Sequence, residues 1–208
     1  MTLAVGILLY DGVELLDFAG PYEVFTVATR VVLRDDPVAE PPFDVFTVAA
    51  APDPVRTHAG LLVVPDRDFG DHPHVDLLVV PGGVVDGAVE DAGVVGWVAR
   101  VSAAAQLTGS VCTGAFLLAR AGILEGRPAT THWEDVEDLQ AAYPGLRAVT
   151  GRRWVDDGDV VTAAGIAAGI DLALHLVVRL AGSDAARRTA EYMQYEWVDD
   201  APADEEDT

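Results

Sequence analysis

Short apolar runs alternate with amphipathic stretches along the whole chain. Residues 3–10, 43–50, 75–80 and 107–111 are dense in Val, Leu, Ile, Phe and Ala, the pattern of strands buried on both faces. Between and after them, residues 17–31, 89–105, 113–121, 133–142, 164–180 and 183–195 show helical periodicity or helix-rich composition. Strand and helix in alternation predict βαβ units, a mostly parallel sheet and an α/β fold. Residues 155–161, Val-Asp-Asp-Gly-Asp-Val-Val, place Asp-Gly between β-branched residues and predict a hairpin at a sheet edge or in a late strand. Three prolines within residues 37–42 separate the first helix from the second strand. No internal repeat is present. At 208 residues with 50% hydrophobic content, residues 1–198 are expected to form one domain with a sizeable core. Residues 199–208, acidic and without apolar anchors, are expected to be a mobile tail.

In open parallel sheets ligands bind beyond the carboxyl ends of the strands, so the segments just after each strand are the places to look for chemistry. Residues 11–21 follow the first strand, Pro81-Gly82-Gly83 the third, Cys112 the fourth, and His132-Trp133 the run at 127–131. Cys112 is the only cysteine, set in Gly109-Ser110-Val111-Cys112-Thr113-Gly114 with an apolar helix start behind it. That is the layout of a nucleophile elbow, where small neighbours relieve crowding and one side chain projects at a helix N-terminus. A lone cysteine is often only a small buried hydrophobe, but this context favours a nucleophile. The helix dipole and free N–H groups are expected to lower its thiol pKa below the usual ~8.5.

Asp17, flanked by Leu15, Leu16 and Phe18, is the acid expected to reach Cys112; burial would raise its pKa and let it donate and later accept a proton. The other reading of Asp17 is a helix N-cap. Glu14 and Glu23 read as surface or first-turn acids. Gly82 and Gly83 either aim backbone N–H groups at an anion or merely meet a turn requirement. His132 is a candidate general base or orienting group, and with Trp133 and Gly20 a candidate for lining the pocket. His58, His72, His74 and His175 read as structural or exposed. No metal site is expected, since His72 and His74 lack further ligands at suitable spacing.

Charge narrows the function classes. Thirty-four acidic residues stand against thirteen basic ones, all arginine, for a formal net charge of −21. Nucleic acid is therefore not an expected partner; a solvated acidic surface of the kind a salt-rich cytoplasm favours is the simpler reading. One cysteine excludes an internal disulfide, no signal-peptide pattern opens the chain, and no apolar run reaches the ~18 residues of a membrane span. A cytoplasmic protein without membrane contact is expected.

Several blocks together resemble the DJ-1/PfpI (ThiJ) superfamily: Leu16-Asp17-Phe18-Ala19-Gly20-Pro21-Tyr22-Glu23-Val24, Cys112-Thr113-Gly114, the run from Ala121 through Thr130-Thr131-His132-Trp133, and Gly165-Ile166-Ala167-Ala168-Gly169-Ile170-Asp171. Residues 3–197 share the resemblance, and the nearest likeness is to the isonitrile hydratase branch. It implies a flavodoxin-like three-layer sandwich, a homodimer, a small-molecule substrate and no cofactor. Asp17, Gly82, Gly83, Cys112 and Thr113 occupy the family's functional places.

In that branch the Cys112 sulfur adds to the terminal carbon of an isonitrile, Asp17 supplies the proton and then activates water, and an N-substituted formamide leaves. The N–H groups of Gly83 and Thr113 would hold the developing charge, and Thr113 Oγ would position water or substrate. Regulators of the same superfamily continue into a helix-turn-helix region not seen here, and the acidity also disfavours DNA. The peptidase branch carries histidine where this chain has Thr113, and the glyoxalase or deglycase branch carries glutamate where it has Asp17. A glyoxalase-like activity on small α-oxoaldehydes and a non-enzymatic cysteine redox sensor are the alternatives.

Overall fold

The structure, a computed structural model, describes residues 1–197; the expected acidic tail lies outside the described residues. Seven strands form the central sheet: β1 (Leu3–Leu8), β2 (Phe43–Ala49), β3 (Arg67–Asp68), β4 (Leu77–Val80), β5 (Leu107–Val111), β6 (Trp154–Asp156) and β7 (Val160–Ala163). Their order is β6-β7-β5-β4-β1-β2-β3, parallel throughout except for the antiparallel pair β6–β7. The helices are α1 (Leu15–Asp35), α2 (Asp86–Glu90), α3 (Ala92–Ala104), α4 (Gly114–Arg120), α5 (Val136–Ala142), α6 (Ala168–Ala181) and α7 (Ser183–Tyr192).

Helices cover both faces of the sheet, and β5 shows why. Side chains alternate along a strand: Gly109 lies under Leu172 and Leu176 of α6, whereas Thr108 faces the other way and bonds Ser102 of α3 at 2.9 Å. Helices α1, α6 and α7 pack together on the first face, and α2, α3 and α4 on the second. This is the flavodoxin-like α/β arrangement expected. Leu172, Leu174, Leu176 and Val177 of α6 are fully buried, each such side chain adding roughly 1.5–3 kcal/mol.

The departures from the expected elements have local causes. The single helix expected over 89–105 is divided into α2 and α3 by Asp91, whose Oδ1 accepts from Gly93 N at 2.7 Å and Val94 N at 3.2 Å; aspartate caps a new helix better than it continues an old one. The stretch expected as helix over 133–142 opens with a 3₁₀ turn, Trp133–Asp135, before α5. The first helix starts earlier than expected, with Glu14 as its cap. Asp17 therefore sits inside the first turn and is not the N-cap. Residues 164–167 form a turn ahead of α6. Strand β3 was too short to carry a pattern. Among the described residues no helix is long and apolar enough to cross a membrane.

The hairpin at β6–β7 is tied to α6 by charge. Asp171 is wholly buried and receives Nε (2.8 Å) and Nη2 of Arg153 and the Tyr195 hydroxyl (3.1 Å). His175 Nε2 meets Asp156 Oδ2 at 2.7 Å, and the His175 ring stacks on Trp154 at 4.0 Å. Removing one partner of a buried pair strands the other charge. Arg153→Met is expected to lower stability by about 3 kcal/mol, read as a reduced urea midpoint, while Arg187→Met on the exposed face of α7 changes it by less than about 0.5 kcal/mol.

Candidate active site

Three post-strand segments meet at the carboxyl edge of the sheet. Cys112 follows β5 with φ 55°, in the left-handed region, a strain of about 1–3 kcal/mol that persists only where the surroundings enforce it. They do: the Cys112 N–H donates to the carbonyls of Ala163 and Ala164, both at 3.1 Å, and Thr131 Oγ1 donates to the Cys112 carbonyl at 2.8 Å. Gly114, next along, lets α4 press onto β4, since a Cβ there would lie 2.2 Å from the Val80 carbonyl oxygen. Gly82 is bound by the same crowding. A Cβ on it would lie 2.6 Å from Thr113 N and Oγ1 and 2.9 Å from Asp17 Oδ2.

Asp17 projects from α1 into this junction and is fully buried. Its Oδ2 accepts the Gly82 N–H at 3.0 Å, and its Oδ1 has no hydrogen-bond partner. The Cys112 thiol lies close enough to couple to this carboxyl but does not reach it in a fully formed hydrogen bond. Burial pushes the carboxyl up to about 7, helped by the charge of Glu14 and restrained by the Gly82 N–H and the thiol. The raised acid expected from the flanking apolar residues is found.

The thiol corrects its expectation. Burial, and after it the charge of Asp17, push Cys112 up to about 12, against the depression expected from the helix dipole. The N–H groups of Thr113 and Ile166 favour the thiolate, but α4 has only seven residues and its end field does not outweigh desolvation beside a carboxylate. At neutral pH the pair thus holds a thiol facing an acid near its midpoint.

The site residues separate accordingly. Cys112, Asp17, Gly82 and Thr113 come together. The oxyanion role expected of Gly82 and Gly83 does not survive, because both amides are occupied: Gly82 N–H by Asp17 and Gly83 N–H by Thr113 Oγ1 at 2.9 Å. Thr113 Oγ1 also donates to the Gly83 carbonyl at 2.9 Å, so it braces the loop and is not free to position water or substrate. His132 turns its Nδ1 to Asp135 at 3.4 Å and lays its ring against Gly165, where a Cβ would lie 2.0 Å from Cδ2. Its ring thus packs against the turn that carries Ile166, and among the described hydrogen bonds none joins it to the thiol. Trp133 is 75% exposed. Gly20 packs under Ile170, where a Cβ would lie 3.0 Å from Cγ1, and joins α1 to α6.

Two contributors escaped the sequence reading. Ile166, with φ 44°, turns its N–H toward the Cys112 sulfur; its place just after the last strand is the available signal, masked by the helix-like composition of residues 164–180. Thr131, buried beside His132, left no signal apart from its position in the resemblance.

A cysteine on a strained elbow at the carboxyl edge of a flavodoxin-like sheet, paired with a buried acid from the first helix, defines a cysteine–acid α/β protein. Residues 4–179 match the DJ-1/PfpI family, and the chain belongs to that family. It is 36% identical over 197 residues to isonitrile hydratase of Pseudomonas putida, covering 94% of this chain and 79% of that protein. It is 30% identical over 196 residues to the HTH-type transcriptional regulator GbdR of Pseudomonas aeruginosa, covering 94% of this chain but 51% of the regulator. The crystal structure of a ThiJ/PfpI family protein from Pseudomonas syringae superposes with a TM-score of 0.82 at 30% identity, covering all of this chain and 80% of that one.

The raised acid has a signed consequence for stability. Folding moves Asp17 from 3.8 to about 7, so the folded state binds the extra proton in that interval and Asp17's contribution to stability falls as pH rises through it. The urea midpoint of the wild type is expected to drop relative to Asp17→Asn between pH 5 and pH 8, where the asparagine variant has no such group to ionise. Parallel profiles for the two proteins would contradict the buried acid.

Proposed function

We propose that this chain is a cofactor-free isonitrile hydratase, carried by one observation: a buried carboxyl near its midpoint at neutral pH, with one oxygen unpartnered, coupled to a buried thiol. Such a pair can deliver the thiol proton to a substrate atom without ever exposing a free thiolate to water. The Cys112 sulfur bonds to the terminal carbon of R–N≡C while Asp17 takes the S–H proton and places it on that carbon, giving the thioimidate R–N=CH–S. Ionised again, Asp17 removes a proton from water as the oxygen attacks the same carbon. The nitrogen gains a proton, the C–S bond breaks, sulfur recovers its proton, and R–NH–CHO leaves. The net change is the addition of one water. The N–H groups of Thr113 and Ile166, which face the sulfur, favour negative charge there as the bond breaks. Half-exposed Leu16, Val84 and Ile166, each within the segments that build the site, suit an apolar R group.

The same observation counts against a redox sensor, because oxidation by peroxide runs through the thiolate and this thiol is held protonated. The relatives include a regulator, whose name states a DNA-linked role for that protein. The acidity of this chain favours the enzyme. A homodimer is part of the proposal: the exposed Leu61 and Leu62 of the short hairpin at 55–63 and Val64 just after it leave an apolar strip for a second copy to cover.

With cyclohexyl isocyanide as substrate, formamide formation is expected in the wild type, to vanish in Cys112→Ala, and to fall about 10²–10⁴-fold in Asp17→Asn. No turnover by a wild type whose Cys112 still reacts with iodoacetamide would overturn the hydratase. Light scattering is expected to give twice the mass of one chain, with Leu62→Asp shifting it toward one.

A further inference from the structure

We propose that Tyr10 is a positioning residue for Asp17, acting through the single peptide group that joins Pro81 to Gly82. It rests on Asp17 being the proton carrier of the site. Tyr10 follows β1, is 7% exposed, and donates its hydroxyl to the Pro81 carbonyl at 2.9 Å, a buried bond. The nitrogen of that same peptide group, Gly82 N, donates to Asp17 Oδ2 at 3.0 Å, also buried. The three form a continuous chain: phenol O–H to carbonyl, carbonyl conjugated to amide, amide N–H to carboxyl.

Two physical effects run along that chain. The first is orientation. Pro81 is followed by two glycines, whose backbone turns with little steric resistance, so the plane carrying the Gly82 N–H needs an anchor at its carbonyl end. Tyr10 supplies one, while the Glu14 N–H fixes the following carbonyl, Gly82 O, at 2.9 Å. The second is polarisation. A donor on the carbonyl draws density from the nitrogen and strengthens the N–H as a donor, and in a buried site such bonds reinforce one another.

The Gly82 N–H is the strongest influence holding Asp17 down against burial. Weakening it makes the carboxyl keep its proton to higher pH. The other charged or titratable groups coupled to Asp17 are Glu14 from the cap of α1, the Cys112 thiol and the Tyr10 phenol itself. On its other side Tyr10 borders a cavity of about 330 Å³ that Asp11, Asp53 and Asp91 also line. None of those three is within the chain of bonds.

The test follows the rate of Cys112 alkylation by iodoacetamide against pH in the wild type, Tyr10→Phe, Asp17→Asn and the double variant, with melting temperatures for each. Ionised Asp17 disfavours the thiolate, so the log rate–pH line breaks where Asp17 titrates. The break is expected to move up by about half a pH unit in Tyr10→Phe and to be absent from both Asp17→Asn proteins. A ring that only packs would change the rate by the same factor at every pH, in both backgrounds. A break that stays in place in Tyr10→Phe overturns the proposal alone. A wild-type line without a break overturns the thiol–acid pairing and the proposal with it. A break that stays in place in Tyr10→Phe leaves the hydratase reading standing, whereas a wild-type line without a break removes its support as well.

Discussion

One hydrogen bond, from the Gly82 N–H to a carboxyl that burial would otherwise make far more reluctant to ionise, organises the chemistry of this protein. It requires β4, α1 and the β5–α4 elbow to converge within van der Waals limits. Two close approaches, at Gly82 and Gly114, leave no room for a Cβ. The sheet makes this possible because β4 and β5 are neighbours and parallel, so both chains leave at the same edge, and β1 beside β4 delivers α1 to the same place. The site is a consequence of strand order.

Placing a thiol next to that carboxyl in a dry setting fixes how charge is shared. Two buried acids cannot both ionise cheaply, and the one with the lower intrinsic affinity for its proton, Asp17, ionises first. The result is an unreactive resting thiol with a base beside it. This suits addition to a carbon that can take up sulfur and proton together, and it suits poorly any role needing a standing thiolate. The helix-dipole argument for an activated cysteine was sound in direction and too small in size, because a seven-residue helix end competes with full desolvation.

The strand–helix alternation, the parallel sheet, the hairpin at 155–161 and the pairing of Cys112 with Asp17 were legible in the chain because each rests on local pattern: apolar runs, an Asp-Gly turn, an elbow of small residues, an acid among apolar neighbours. What escaped depends on which backbone groups are already engaged. Gly82 and Gly83 are the right residues in the right place, yet their amides are spoken for by Asp17 and Thr113, which no spacing rule reveals. His132 adjoins the site but faces Asp135. Ile166 contributes through its backbone, so its side-chain type said nothing. The break at Asp91 was present in the residue type and outweighed by the periodicity around it.

The central claim is that Cys112 keeps its proton at neutral pH while Asp17 beside it holds its own below about pH 7 and loses it above. Infrared difference spectroscopy of the wild type against Asp17→Asn reads this directly, through the C=O stretch of a protonated carboxyl in the folded protein. A band present at pH 5.5 that disappears with a midpoint near 7, without loss of the S–H stretch of Cys112, is the result this account predicts. A carboxyl already ionised at pH 5.5, or an S–H stretch lost before the carboxyl band, would contradict it.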